Sequence, residues 1–198
     1  MLSVDLKHSG QVLIAPTPNN VELVATHSSK SLEDLLAHTL KDSDNFYSEM
    51  IFKSIGRFSQ DDVASTQNAV DLFNQYYSDI KSKKPVVVDA CGISRNNLMS
   101  ADWATEALNK IYKENDFYPF SVLLPKPIEG TLANRLLNIS LQLRAKTGTA
   151  SNISSLAGFV DSKSGKKYSF AIFIQNHNFD TNKVKKFEDS LVNEIHKL

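Results

Sequence analysis

Residues 143 to 151 read Leu-Arg-Ala-Lys-Thr-Gly-Thr-Ala-Ser, so a lysine, a glycine and three hydroxyl-bearing residues crowd together within 146–151. Gly and Thr are ordinary in turns, and a turn is one reading. The other is an anion-binding edge strand. Such a strand can pair with an extended peptide through its backbone. Lys146 then offers positive charge to a terminal carboxylate, and the hydroxyls of Thr147 and Thr149 can donate to the same group. Gly148 lets an acyl group approach the backbone closely. The Thr149 amide is placed to steady a tetrahedral oxyanion, a contribution of ~3 kcal/mol per donor. The tripeptide alone is weak: at roughly 6% usage per residue, a chain this long contains it by chance on the order of 4% of the time. It gains weight from Ser43-Asp44-Asn45 upstream, at an expected junction between two helices. There Ser43 could relay a proton to a leaving amine, and Asn45 could hold a substrate amide.

The elements that must position these groups can be read from periodicity. Gln11–Ala15 and Val21–Thr26 are β-prone runs separated by Pro-Thr-Pro-Asn-Asn. A helix is expected from Ser31, with Leu32, Leu35 and Leu36 on one face, and it breaks in the polar cluster 41–45. A second helix carries Phe46, Met50 and Ile51 toward Gly56. A third is expected from Ser59, with Val63, Val70, Phe73, Tyr77 and Ile80 at helical spacing. Pro85–Asp89 reads as a short buried strand or extended segment, followed by a loop through Arg95. Ser100 caps a helix to about Lys113, Pro125 and Pro127 stiffen a connection, and Thr131–Ile139 reads as one more short helix. Three strands are then expected, 140–147, 154–161 and 167–175, the last two joined by a Gly-containing hairpin. A closing amphipathic helix presents Val184, Phe187, Leu191 and Ile195. The fold class is α/β (α+β), an antiparallel sheet packed with helices.

Totals narrow the function. The 198 residues suit one domain, and 41% apolar with 22% charged residues is ordinary globular usage. Twenty-two basic residues balance 22 acidic ones, which gives no nucleic-acid footprint. No apolar run reaches the length of a membrane span. Cys91 is the single cysteine, so no internal disulfide forms. The start of the chain lacks the basic and apolar regions of a signal peptide. His8, His27, His38, His177 and His196 show no ligand spacing and are read as scattered surface residues, with no metal and no cofactor expected. Trp103, with Tyr112 and Phe117 nearby, is expected to pack in the core. The runs 81–84 and 183–186 are read as solvated helix ends.

Together, the serine triplet and the lysine triplet are two of the three elements of serine acyl-transferases of the penicillin-binding and β-lactamase type. The chain resembles more specifically the C-terminal part of class C penicillin-binding proteins, the serine D-alanyl-D-alanine carboxypeptidases that also act as endopeptidases. The resemblance rests on four signatures in the family's order. They are Leu40-Lys-Asp-Ser-Asp-Asn45; Val88-Asp-Ala-Cys-Gly-Ile-Ser-Arg95; Leu124-Pro125 with Gly130-Thr131-Leu132 and Arg135; and Arg144-Ala-Lys-Thr-Gly-Thr149 with Leu156-Ala-Gly-Phe-Val160. It implies a single domain over 1–198, part of a D,D-peptidase of penicillin-binding protein/β-lactamase-like fold. It also implies an extracytoplasmic bacterial enzyme that acts on peptidoglycan peptides ending in D-Ala-D-Ala and is inhibited by β-lactams. The implied catalytic residues are Ser43, Asn45 and Lys146, with Thr147, Gly148 and Thr149 binding substrate.

Two departures stand out. The family's Asp-Gly-Ser-Gly-Leu-Ser-Arg element is here Asp89-Ala-Cys-Gly-Ile-Ser-Arg95. The family's nucleophilic Ser-x-x-Lys should precede Ser43 at a distance, whereas here it occurs only as Ser78-Asp-Ile-Lys81 and Ser164-Gly-Lys-Lys167. Both are expected to be solvated polar residues, and the nucleophile is expected on a portion outside this chain. A sheet edge that such a portion would cover is expected to associate with a second copy or to be covered by the N-terminal residues. Cys91 as nucleophile is the weaker reading beside a small loop residue. A non-catalytic peptide- or partner-binding module remains the alternative function. A class A β-lactamase is a third, sharing the two triplets but not the signatures at 89–95 and 124–135.

Overall fold

A computed structural model of the protein describes residues 14–16, 18–60, 62–114 and 117–198. The chain divides into two units, Met1–Lys30 and Ser31–Leu198. In the first, the described residues hold neither helix nor strand. The β-prone run Val21–Thr26 is therefore irregular chain, with Val24 94% exposed. A lone strand leaves its backbone groups without a ladder, so propensity alone does not make one. Of Gln11–Ala15, residues 11–13 lie outside the described set, and Ile14 and Ala15 are not in a strand.

The second unit is built on three antiparallel strands, β1 (Leu143–Ala150), β2 (Ile153–Asp161) and β3 (Lys167–Gln175), side by side in that order. Their register pairs Lys146 with Ala157, Gly148 with Ser155 and Ser154 with Ile174. Alternation sends Leu143, Ala145, Leu156, Val160 and Phe170 to one face, where they bury with Leu132, Leu136, Ile139 and Val192. Helix α6 (Thr181–Lys197), capped by Asp180, covers that face. The opposite face, which carries Lys146 and Gly148, receives α4 (Ala101–Lys113), capped by Ser100.

The buried stripe of α6 is Val184, Glu188 and Val192. Phe187, expected on that face, is 56% exposed, and Leu191 is 37% exposed. The stripe is rotated because Glu188, fully buried, is drawn inward by Arg135, 2.8 Å away. Arg135 also bonds Asp189 at 2.7 Å and the Lys185 carbonyl at 3.2 Å. An apolar pattern does not register a buried carboxylate.

The other departures are local. Helices α1 (Leu32–Asp42) and α2 (Asn45–Ile55) form as expected, but α3 spans Thr66–Tyr76, and a short α5 (Phe117–Leu123) follows α4. Its cap is Ser65, which accepts from the Asn68 amide, while Ser59 ends a 3-10 turn. Of the two readings of Pro85–Asp89, the buried strand does not hold: a single bridge joins Val86 to Leu98, and Val86 and Val88 are exposed. Asp89 instead organises the following loop, accepting from the amides of Gly92 and Ser94 and from Asn97. The expected helix at 131–139 is two 3-10 turns, Gly130–Leu132 and Leu137–Ile139, separated by Leu136 in a left-handed conformation (φ 54°). Trp103 is buried against Phe73 and Tyr77, whereas Tyr112 lies half-exposed on Phe159. The Phe117 side chain is outside the described set.

β1 and β2 approach so closely that a Cβ on Gly158 would lie 2.1 Å from the Arg144 carbonyl oxygen. Backbone cannot yield as a side chain does. Gly158→Ala is therefore expected to destabilise the chain by about 1–3 kcal/mol, measured by urea unfolding.

Candidate active site

Ser43 joins α1 to α2 with a left-handed backbone (φ 58°). The next residue, Asp44, caps α2, accepting from the Tyr47 amide at 3.0 Å and contacting His38 Nε2 at 3.2 Å. That hydrogen bond from the Tyr47 amide holds the Asp44 carboxyl below its usual range. The junction is therefore fixed on both sides of Ser43. Asn45 follows as the exposed first residue of α2.

β1 brings Lys146 to this junction. Its ammonium donates to Ser43 Oγ and, at 3.0 Å, to the Thr147 carbonyl. Burial pushes the Lys146 ammonium below the usual lysine range. Two contacts lock the strand against the helices. Thr147 Oγ1 donates to Thr131 Oγ1 at 2.7 Å. Gly130 (φ 44°) lies where a Cβ would sit 2.0 Å from the Lys41 carbonyl oxygen, so the 130–132 turn rests directly on the end of α1.

β1 is an edge strand. The Ala145 amide, on the outer side, donates to the Pro125 carbonyl at 3.0 Å, and Arg144 bonds the Val122 and Leu124 carbonyls. By alternation the amides of Thr147 and Thr149 point to the same outer side, where no strand among the described residues pairs with them. A Cβ on Gly148 would lie 2.3 Å from Ser155 Oγ on β2, so the glycine lets the two strands pack face to face there. Ser155 was not legible as a site neighbour, since only the strand register brings it there.

An apolar cavity of about 1090 Å³ opens beside this corner, lined by Phe52, Phe73, Val86, Ile153, Ser155 and Phe173 among others. The 89–97 loop closes one wall. Ser48 donates to the Ala90 carbonyl, Glu49 accepts from the Ala90 and Cys91 amides, and Arg95 donates to the Ser151 carbonyl at 3.4 Å. Glu49, Asp89 and Cys91 lie within 4.8 Å of one another, but both carboxylates are occupied by backbone amides. Burial pushes the Cys91 thiol up, away from the thiolate that a nucleophile requires.

The two Ser-x-x-Lys serines lie elsewhere. Ser78 is exposed in the turn after α3. Ser164 is exposed in the β2–β3 turn, at the far end of the sheet from Thr149. Of the histidines, His27 is exposed, His38 faces Asp42 and Asp44, and His196 contacts the Asp161 carbonyl. His177 is buried, against the expectation of a surface residue. His8 lies outside the described residues.

A profile of the D-Ala-D-Ala carboxypeptidase 3 (S13) family matches residues 2–197. The chain belongs to this family. It is 30% identical over 207 aligned residues to the D-alanyl-D-alanine carboxypeptidase DacB of Haemophilus influenzae, an alignment covering 97% of this chain and 43% of that protein. It is also 30% identical to a D-alanyl-D-alanine carboxypeptidase of an Actinomadura species, covering 80% of this chain and 31% of the relative. The structure of penicillin-binding protein 4 (dacB) from H. influenzae, solved with a β-lactam, superposes with a TM-score of 0.80 at 27% identity, over 94% of this chain and 46% of that one. The chain thus spans less than half the length of these S13 relatives. Their fold confirms the α+β reading. Among the described residues, no helix is long and apolar enough to cross a membrane.

Proposed function

We propose that this chain is the substrate-gripping portion of a serine D-alanyl-D-alanine carboxypeptidase/endopeptidase, working by an acyl-enzyme mechanism on peptidoglycan stem peptides outside the bacterial cytoplasm and sensitive to β-lactams. The observation that carries it is the contact of Lys146 with Ser43, which joins the open strand edge to the helix junction. The peptide adds along the outer side of β1 at Thr147 and Thr149. Lys146, with the Thr149 hydroxyl and the Thr147 hydroxyl turned from Thr131, holds the terminal carboxylate. Gly148 admits the scissile carbonyl, and the Thr149 amide faces its developing oxyanion. Ser43 passes a proton to the leaving D-Ala amine, and exposed Asn45 holds the substrate amide.

The nucleophilic serine and its lysine lie, on this reading, on a segment outside these 198 residues. The apolar cavity beside Ser155 is where that segment buries its apolar side, completing one D,D-peptidase domain. The isolated chain then binds without turning over. A non-catalytic binding module on the same fold is the second reading, favoured by the exposure of Ser78 and Ser164 in turns outside β1. The outer edge of β3 meets no strand among the described residues. Pairing of that edge in a homodimer is expected to show as a doubled mass in light scattering, and a monomer at all concentrations argues against it.

Titration of the ¹⁵N-labelled chain with a peptide ending in D-Ala-D-Ala tests the grip. The Thr147 and Thr149 amides are expected to shift saturably, and to stop doing so when the peptide is C-terminally amidated. Equal shifts with both peptides would remove the carboxylate role. In a protein that also carries the nucleophile, Ser43→Ala is expected to slow acylation about 10²-fold or more while leaving peptide binding unchanged, as for loss of a general acid–base group. Rapid-quench acylation kinetics measure this, and a normal rate would end the relay role.

A further inference from the structure

Two local features work against the corner that carries Ser43. Its backbone is left-handed (φ 58°), a conformation disfavoured for a residue with a side chain. Asp42, the last residue of α1, sets an acid at the negative end of the helix dipole. Asp44 adds a second carboxylate two residues on. His38, one turn before Asp42, answers both acids. Its Nδ1 lies 2.9 Å from Asp42 Oδ2, and its Nε2 lies 3.2 Å from Asp44 Oδ2. Asp44 divides its oxygens: Oδ1 accepts from the Tyr47 amide in the first turn of α2, and Oδ2 faces the histidine. A neutral imidazole donates from one nitrogen and accepts at the other, so in either tautomer it turns a lone pair on one of these carboxylates. Only the imidazolium donates to both.

The neighbouring elements bring no competing charge to the ring. Tyr47 of α2 meets it edge-on, with ring centroids 5.6 Å apart. On α1 itself, Asp34 accepts from Ser31 Oγ. Of the other elements packed on α1, α5 has Tyr118 as its one titratable residue, and the Gly130–Leu132 turn has none. Glu129, just before that turn, is held by Lys41 at 3.3 Å and by Lys126 at 3.8 Å. Lys146 reaches Ser43 from the strand.

We propose that His38, as an imidazolium, is a positioning residue for Ser43: it ties Asp42 to Asp44 across the corner, and loss of its proton loosens Ser43 where Lys146 meets it. The inference rests on the reading of Ser43 as the proton relay, and it makes that relay answer to pH through the helix corner. The ring is 45% exposed, so protons reach it freely.

The test follows the ¹⁵N-labelled chain from roughly pH 5 to 8, the range in which histidines change charge. The His38 ring is expected to start with both nitrogens protonated, and the Ser43 and Asn45 amides to shift in step as it loses one proton. Hydrogen-exchange protection of the Tyr47 amide should fall about two- to fivefold over the same step, the scale of an exposed ion pair. His38→Gln, which keeps one donor and no charge, should remove the step and leave protection low throughout. His38→Arg, a permanent cation with several donors, should remove the step and keep protection high. In a protein that also carries the nucleophile, the acylation rate should fall by a similar factor over the same pH step, and this limb should be missing in His38→Arg. A His38 ring with a single protonated nitrogen across the whole range overturns the proposal. So does a Ser43 response that survives in His38→Gln, one that vanishes in Lys146→Met and so belongs to the lysine, or an acylation rate indifferent to the step. The corner is read without substrate, so the two readings fail separately. Binding of the D-Ala-D-Ala peptide with no response at the corner removes the clamp alone, whereas a responding corner with no peptide bound removes the reading of β1 alone.

Discussion

Lys146→Ala, in a protein that carries the nucleophile together with these residues, is expected to lower kcat/KM for D-Ala-D-Ala peptides by about 10²–10³-fold, the usual effect of removing one preorganised donor. The effect is electrostatic. Lys146 is a cation held half-buried beside an open strand edge, with Ser43 and the Thr147 carbonyl fixing its head. A carboxylate arriving there gains a charge-assisted bond in a medium that screens less than water. Stability should move the other way. Burial lowers the Lys146 pKa in the folded state, so the unfolded chain binds more protons at pH values between the folded and the unfolded pKa. The wild-type chain therefore gains stability as pH rises through that window, and the cost of burying the charge is present below it. Lys146→Met, which keeps the stem and removes the charge, should flatten this alkaline rise and leave the chain no less stable at neutral pH. An unchanged kcat/KM, or a large loss of stability, would show that Lys146 serves packing and not substrate.

Arg135→Ala is expected to be the most damaging single change to the fold, costing about 3–5 kcal/mol in urea unfolding. Glu188 is fully buried, and Arg135 is its ion-pair partner at 2.8 Å. Truncating the arginine strands a carboxylate against β2 and the core, whereas Asp189, closer to solvent, can recover water. Whole domains are stable by only about 5–15 kcal/mol, so this loss is expected to leave much of the population unfolded at moderate temperature. The paired change Arg135→Met with Glu188→Leu should cost far less, because no unpaired charge remains. If Arg135→Ala costs under about 1 kcal/mol, the buried pair is not what seats α6, and the rotated stripe needs another cause.

Elements carried by local signals were legible in the sequence. Ser100 announced α4 because a serine cap followed by an apolar period is a local device, and β3 was bounded by Gly165 and a continuous apolar run. The start of α3 was misplaced because Ser59 and Ser65 are both credible caps, and which of them closes on the helix is a matter of tertiary geometry. The inward face of α6 was misread because the residue that rotates it is a glutamate. At the site, Lys146 and Ser43 stand 103 residues apart, a separation no periodicity bridges. Their triplets were recognisable through the resemblance to penicillin-binding proteins, and the fold then joined them. Ser155 and buried His177 escaped because register and depth are set by elements that pack from afar.

On the proposed function, these residues grip the substrate and the nucleophile belongs to another segment. The most direct measurement is the intact mass of the folded chain after incubation with a penicillin. An unchanged mass is the expected result, with the D-Ala-D-Ala peptide still shifting Thr147 and Thr149. A gain equal to one penicillin, mapped to a serine of this chain such as Ser78 or Ser43, would contradict the account and place the acylated nucleophile within it.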